Sequence, residues 1–407
     1  MSKSEKYLIS EQRLGLVGTF ALILLISFLT PMSCDMYIPA LSSMTVYFDT
    51  TEIMVNQTMI LFFLFFAISI LIFGSVSDRY GRKPVLVGGF LVYMAGSIGC
   101  ALSSSIVMLI AMRIVQAIGS GAANVVGMAM IKDCFREEMR ERVLMINQVL
   151  FVLAPVIAPI IGGQILLFGT WRLTFWVLTG LSAICMVLAV FYQESLPDNE
   201  RLTGSFKEMP LGMIRVARNK GFTLFVLSVG FLTAAFMGYI SQSSYIYVSQ
   251  FGLSQQGCSY WFAAMAGLSI IAPFICSRLE RHLSKKNVMN VIFALCALSG
   301  VLVLIWGERT PLSFFLCFFP YFLASTMVRP VSTFVLLGQQ EGDTGSASSL
   351  MNFINTALGC LGMVISTVFP FSYTANLGWT VVSVVAVAVV LWVVILRSNV
   401  QLKGVKR

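Results

Sequence analysis

The sequence predicts an all-α membrane protein, with twelve transmembrane helices in two pseudo-symmetric six-helix bundles. Hydrophobic residues make up 57% of the 407 and charged residues 11%, against about 25% charged in ordinary soluble domains. That excludes a soluble globular fold. Apolar runs of bilayer length recur from end to end, each long enough to cross about 30 Å of hydrocarbon as a helix. No alternating strand pattern interrupts them, which argues against a β-barrel.

Span 1 covers 14–41, too long for a signal-peptide core and without a small-residue cleavage site after it, so it is expected to be retained. Spans 2 and 3, at 54–76 and 84–103, flank GSVSDRYGRKP, from Gly74 to Pro84. Its charges cannot sit in lipid and its glycines let backbones approach, so it reads as a tight turn. Spans 4, 5 and 6 follow at 106–130, 143–167 and 171–193. The longest connection, 194–219, mixes both charge signs with Pro197 and Pro210 and reads as a cytoplasmic linker between an N-terminal bundle, 1–193, and a C-terminal bundle, 220–407. The remaining spans are 220–247, 258–278, 287–306, 311–337, 346–370 and 376–397. Between the eighth and ninth lies an echo of the first charged turn, Glu280-Arg281 with Lys285 and Lys286, but with Leu283 in the glycine position. Duplicated halves suggest two bundles with a path between them.

The net charge of +9 is a topology signal. All but Arg113, Arg172, Arg309 and Arg329 of the 27 Lys and Arg fall in alternate connections and at the two ends. This places both termini in the cytoplasm and excludes a nucleic-acid footprint. The nine cysteines are scattered without a CxxC pair or a histidine cluster, so they read as packing residues and no metal site is expected.

Few polar residues remain to carry chemistry. Asp35 is the acid that falls inside a span, late in span 1. A charge at that depth costs about 2.5–3.5 kcal/mol, so it faces an aqueous cavity, a partner or the outer interface. Arg113, early in span 4, enters at similar depth and is a candidate for a buried ion pair with Asp35 or for snorkelling to the interface. In span 5, Pro155 and Pro159 are spaced to bend the helix, and Gly162 and Gly163 permit close contact with a neighbour. Softer cavity candidates are Tyr37, Asn147, Gln148, Gln242, Tyr245, Asn352 and Asn355, which can equally bond between helices. Arg329, before Pro330, either binds an anionic group, pairs with Glu341 or Asp343, or snorkels.

The charged turn resembles the span 2–3 signature of the major facilitator superfamily, G-x-x-x-D-R-x-G-R-[RK], with Gly74, Asp78, Arg79, Gly81, Arg82 and Lys83 matching. APVIAPIIGG is similar to the span 5 antiporter motif G-P-x-x-G-G, with Ala158 in place of the first glycine. Together with Asp35–Ala40, Arg113–Gly119 and Trp171-Arg172, these place the resemblance in the Bcr/CflA (bicyclomycin and chloramphenicol resistance) branch of drug:proton antiporters. It is strong to about residue 200 and rests on organisation beyond.

The resemblance implies a bacterial inner-membrane exporter working by alternating access. It implies a small amphiphilic substrate, protons as the coupling ion, and no cofactor beyond the proton gradient. Asp35 becomes the proton-sensitive acid and Arg113 its basic partner, while Asp78, Arg82 and Asp133 become a latch on the outward-facing state. A monomer in lipid is expected. One departure counts against cationic drugs: the stretch before Asp35, LLISFLTPMS, lacks the second membrane acid that some drug antiporters carry. The rivals are an exporter of a sugar or other metabolite and a non-transporting membrane sensor. A membrane enzyme lacks a nucleophile–base pair or a cofactor loop.

Overall fold

The computed structural model of the protein describes residues 13–201, 208–338, 344–398 and 402. The chain divides into two compact units, Met1–Ser205 and Phe206–Arg407, whose elements are all helical among the described residues.

In the first unit α1 (Gly15–Asp35) passes through a 3-10 turn, Ile38–Ala40, into the short α2 (Leu41–Tyr47). There follow α3 (Glu52–Tyr80), α4 (Arg82–Ala101), α5 (Ile106–Cys134), α6 (Glu137–Phe168) and α7 (Arg172–Phe191). The second unit opens with α8 (Glu208–Ala217) and α9 (Lys220–Ser244), which ends in a π-helical turn, Tyr245–Gln250. It continues with α10 (Gln255–Leu268), α11 (Ala272–His282), α12 (Lys285–Trp306), α13 (Pro311–Gly338), α14 (Thr344–Ile365) and α15 (Tyr373–Arg397).

Hydroxyl and amide side chains set where many of these helices begin. Thr51, Ser105, Ser254, Ser284 and Ser372 each accept a bond from the amide three residues on, at the starts of α3, α5, α10, α12 and α15. Asn219 does the same for α9 through the amides of Gly221 and Phe222. Each such cap is worth about 1 kcal/mol. Among the described residues eleven helical stretches are long and apolar enough to cross a membrane, α1 with α2, α9 with its π-helical turn and α10 with α11 each counting as one, and α6 is the twelfth if taken as one bent span. The bend in α6 is 43°, between Glu137–Leu150 and Leu153–Phe168. It lies just before Pro155 and Pro159, each of which removes a ladder donor and crowds the carbonyl four residues earlier.

Within the first unit α1 packs on α5, α6 and α7, α3 and α4 pack on α5, and α4 packs on α7. Within the second, α9 packs on α13, α14 and α15, α11 and α12 pack on α13, and α12 packs on α15. The same set of pairings thus occurs twice, with α1 and α9 in equivalent places. Large apolar side chains such as Val46, Phe168 and Phe274 remain exposed, as suits helices whose outer faces meet lipid rather than water.

Two expectations are corrected. The reversal within Gly74–Pro84 is tight, as expected, but spans 2 and 3, expected at 54–76 and 84–103, reach into it: α3 runs on through Asp78 to Tyr80, α4 begins at Arg82, and Gly81 alone, at φ +99°, reverses the chain. A glycine in that conformation turns without the steric cost an L side chain meets. The echo in the second unit needs no glycine because Leu283 is extended, at φ −122° and ψ 146°, with Ser284 capping α12. The second correction is to helix length. Spans 4 and 5, expected at 106–130 and 143–167, extend into α5 and α6 until only Phe135 and Arg136 separate them.

Candidate functional site

Glycines on α4 and α5 create the first unit's polar centre by letting those helices touch. A side-chain carbon at Gly119 would meet the backbone of Tyr93, and one at Gly96 the backbone of Gln116. Arg113, one turn before Gln116, is consequently held entirely out of solvent, at 0% exposure. Its Nη1 donates to the Ser33 carbonyl at 3.0 Å and to Gln116 Oε1 at 2.6 Å. Nε donates to the Thr58 carbonyl at 3.3 Å, and Nη2 reaches the Tyr37 hydroxyl at 3.4 Å. The guanidinium also lies 4.1 Å from the ring centre of Phe62 and 4.7 Å from that of Tyr37. Neutral dipoles and ring faces thus solvate this cation. Hydrogen bonds to a charged group contribute about 1.5–3 kcal/mol each, against several kcal/mol for desolvating the ion.

The shell extends further. Gln116 Nε2 donates to Ser97 Oγ at 2.8 Å, Ser33 Oγ and the Tyr93 hydroxyl share a bond at 2.5 Å, and the Tyr37 hydroxyl meets Thr58 Oγ1 at 3.1 Å. Each polar group left unbonded here would be costly, which gives the cluster one defined arrangement.

Asp35 is the last residue of α1, buried at 6% exposure. Among the described residues its carboxylate makes no ion pair, with Arg113 or any other cation, and no side-chain hydrogen bond. Its seat is fixed from α6, where a Cβ at Gly162 would overlap the carbonyl of Met36, the next residue. The span 5 glycine is therefore what lets α6 approach the end of α1 where Asp35 sits.

A second cluster stands at the Gly81 reversal. Arg82 Nη1 donates to Asp78 Oδ1 at 2.5 Å and to Ser77 Oγ at 2.7 Å, while Nε donates to Asp133 Oδ2 at 2.9 Å. One guanidinium thus joins α3, α4 and the end of α5. Gly74 faces Val125 on α5, Arg79 is exposed over the Tyr80 ring, and Lys83 Nζ donates to the Val190 carbonyl at 2.7 Å. Glu194, beyond α7, accepts bonds from the backbone amides of Arg82 and Lys83 at 2.8 and 3.0 Å.

The remaining candidates separate. Asn147 is buried, with Nδ2 on Met128 Sδ at 3.5 Å and Oδ1 unbonded, whereas Gln148 beside it is exposed. In the second unit Gln242 Nε2 reaches Ser366 Oγ at 3.5 Å, and Tyr245 packs 5.7 Å from Tyr373. Asn355 lies beside Gly230, and Asn352 is exposed. Arg329 is exposed on α13, and the pairing with Glu341 or Asp343 falls on residues outside those described. Sequence reasoning missed Ser33, Thr58, Tyr93, Ser97, Gln116 and Glu194. Of these, Gln116 carried a usable signal, three residues from Arg113 on one helix face.

The repeated set of helix pairings, with apolar outer faces and a buried cation inside the first unit, describes a polytopic membrane protein. Residues 23–367 match the Major Facilitator Superfamily profile, and the chain belongs to that family. It is 30% identical over 359 residues to an uncharacterized MFS-type transporter, YdgK, of Bacillus subtilis, covering 86% of this chain and 88% of that one. A bicyclomycin resistance protein homolog of Haemophilus influenzae is 23% identical, covering 95% and 99%. A crystal structure of a peptide transporter, POT, in complex with sulfate superposes with a TM-score of 0.79 at 15% identity, covering 98% and 99%, a likeness of fold. The chain is accordingly a multi-pass membrane transporter and not an enzyme.

Proposed function

We propose that this transporter exports a small amphiphilic, drug-like compound from the bacterial cytoplasm across the inner membrane in exchange for protons, by alternating access. The observation that carries the reading is Asp35: a carboxylate buried at the end of a membrane helix, with no ion-pair partner among the described residues. Such a group can take up and release a proton as its surroundings change, because neither form is held by a fixed counter-charge. Arg113 is bonded instead to the Ser33 carbonyl, two residues before Asp35 on α1. The relationship to a bicyclomycin resistance protein homolog supports a drug-like substrate, and the basic connections support a cytoplasmic position for both termini.

Purified protein in liposomes, assayed with and without an imposed pH gradient, tests the coupling. A pump-deficient bacterium expressing the chain and challenged with an antibiotic panel tests the substrate class. Export that ignores the pH gradient would overturn the proton exchange. A panel without any change in resistance, together with transport of a sugar or metabolite, would move the chain to a metabolite exporter.

A further inference from the structure

The first turn of α4 has no cap of its own. Gly81 carries no side chain to accept the opening amides, and α4 begins directly at Arg82. Glu194 fills that role from 112 residues further along the chain. Its Oε1 accepts from the Arg82 amide at 2.8 Å and from the Leu196 amide at 3.0 Å, and its Oε2 accepts from the Lys83 amide at 3.0 Å. A negative group there also meets the positive end of the α4 dipole. The contact is close enough that any Cβ at Gly81 would run into the Glu194 carboxylate.

The surrounding segment is tied down independently. The Tyr192 hydroxyl donates to Ser195 Oγ at 2.6 Å and lies 3.8 Å from Cys134 Sγ, next to Asp133 at the end of α5. Arg201 pairs with Asp198 at 2.8 Å, with its guanidinium 3.3 Å from the position of a Gly81 Cβ. Residues 192–201 therefore touch the start of α4 and the end of α5, the two places between which Arg82 is stretched.

We propose that Glu194 is the positioning residue for Arg82. By holding the first two amides of α4 it sets the height and rotation at which the Arg82 guanidinium reaches Asp78 and Asp133 together. This role rests on the transport reading for its meaning in the cycle, but the coupling between Glu194 and Arg82 does not.

The test uses the full-length protein in lipid nanodiscs, with Glu194→Gln, Glu194→Ala, Arg82→Gln and the double variant Arg82→Gln/Glu194→Ala. Hydrogen exchange of the peptide spanning residues 82–86 reads the cap. Labelling of a cysteine introduced at the exposed Gln148 reads the conformational balance, all nine native cysteines being buried. Protection at the start of α4 is expected to fall about tenfold in Glu194→Ala and less in Glu194→Gln, with the melting temperature little changed in the latter. The labelling rate should shift in the same direction in Glu194→Ala as in Arg82→Gln, and the double variant should shift no further than the larger single one. Unchanged protection, or shifts that add in the double variant, would overturn the proposal. If Glu194→Ala fails to fold, Glu194→Gln with Arg82→Gln carries the same comparison. A wild type that transports nothing would defeat the transport reading while leaving these couplings to be read.

Discussion

Arg113 and Asp35 sit on packed helices without forming an ion pair. Arg113 Nη1 bonds the main-chain carbonyl of Ser33, two residues before Asp35, so the cation is anchored on the backbone of α1 rather than on its acid. No ion pair between them therefore has to break when either side chain is replaced, so the two can be tested separately.

Asp35→Asn is expected to abolish transport driven by a pH gradient while leaving the fold intact. The carboxylate makes no ion pair in the described structure, so its neutral isostere removes no fixed contact. Liposome transport with an imposed gradient, alongside a melting curve, checks both halves. Undiminished gradient-driven export by the variant would remove Asp35 from the proton path.

Arg113→Ala should be the most destabilising single change in the first unit's polar centre. It strips the donor from Gln116 Oε1 and from the Ser33 carbonyl, in a site without solvent, and a second bond from the Thr58 carbonyl, which stays within the α3 ladder. Buried acceptors left unbonded cost about 1–3 kcal/mol each. Arg113→Lys retains the charge but not the fork, so an intermediate loss is expected. Thermal unfolding in detergent should rank wild type above lysine above alanine.

Gly162→Ala and Gly88→Ala form a matched pair. The first drives a methyl into the Met36 carbonyl and should displace the end of α1, with transport lost in proportion. The second meets no atom within 4 Å and should be neutral or stabilising by about 0.4–1 kcal/mol through lower unfolded-state entropy. Equal activity in the two variants would show that the approach of α6 to Met36 does not matter for function.

Asp78→Asn removes one charged partner of Arg82 and leaves Asp133 in place. Bonds of this kind are worth about 1.5–3 kcal/mol, enough to move a two-state balance about tenfold or more. Slower turnover with a shifted labelling pattern is expected, and intrinsic substrate affinity of the competent state should not change. Slow transport with an unshifted pattern would reduce the turn to a topology anchor.

The helices and their duplication were legible because lipid imposes one requirement, uninterrupted apolar length, and the chain satisfies it repeatedly. Caps such as Ser105 and Ser284 were written locally and followed the ordinary preferences for helix starts. The charged residues of the reversal were legible as a motif, but not the single-residue turn, since helix continues wherever backbone donors find acceptors, charged side chains or not. Least legible were relationships between distant segments. That Arg113 takes neutral acceptors instead of Asp35 depends on which carbonyls the α1–α5 packing presents, and that Glu194 caps α4 depends on a contact 112 residues apart. Neither leaves a periodic trace.

The reversal at Gly81 has a further consequence, for helical phase. With one residue between α3 and α4 there is no slack to absorb a change in length. Each residue of an α-helix turns the chain by about 100°, so an insertion that advanced α4 by a single position would rotate every downstream contact out of register. Gly96 would leave Gln116, Gly89 would leave Ala122, and larger side chains would arrive where the helices now touch. Length at this point is therefore as strictly constrained as residue identity, and a one-residue insertion after Gly81 should do more damage than most substitutions within the motif itself.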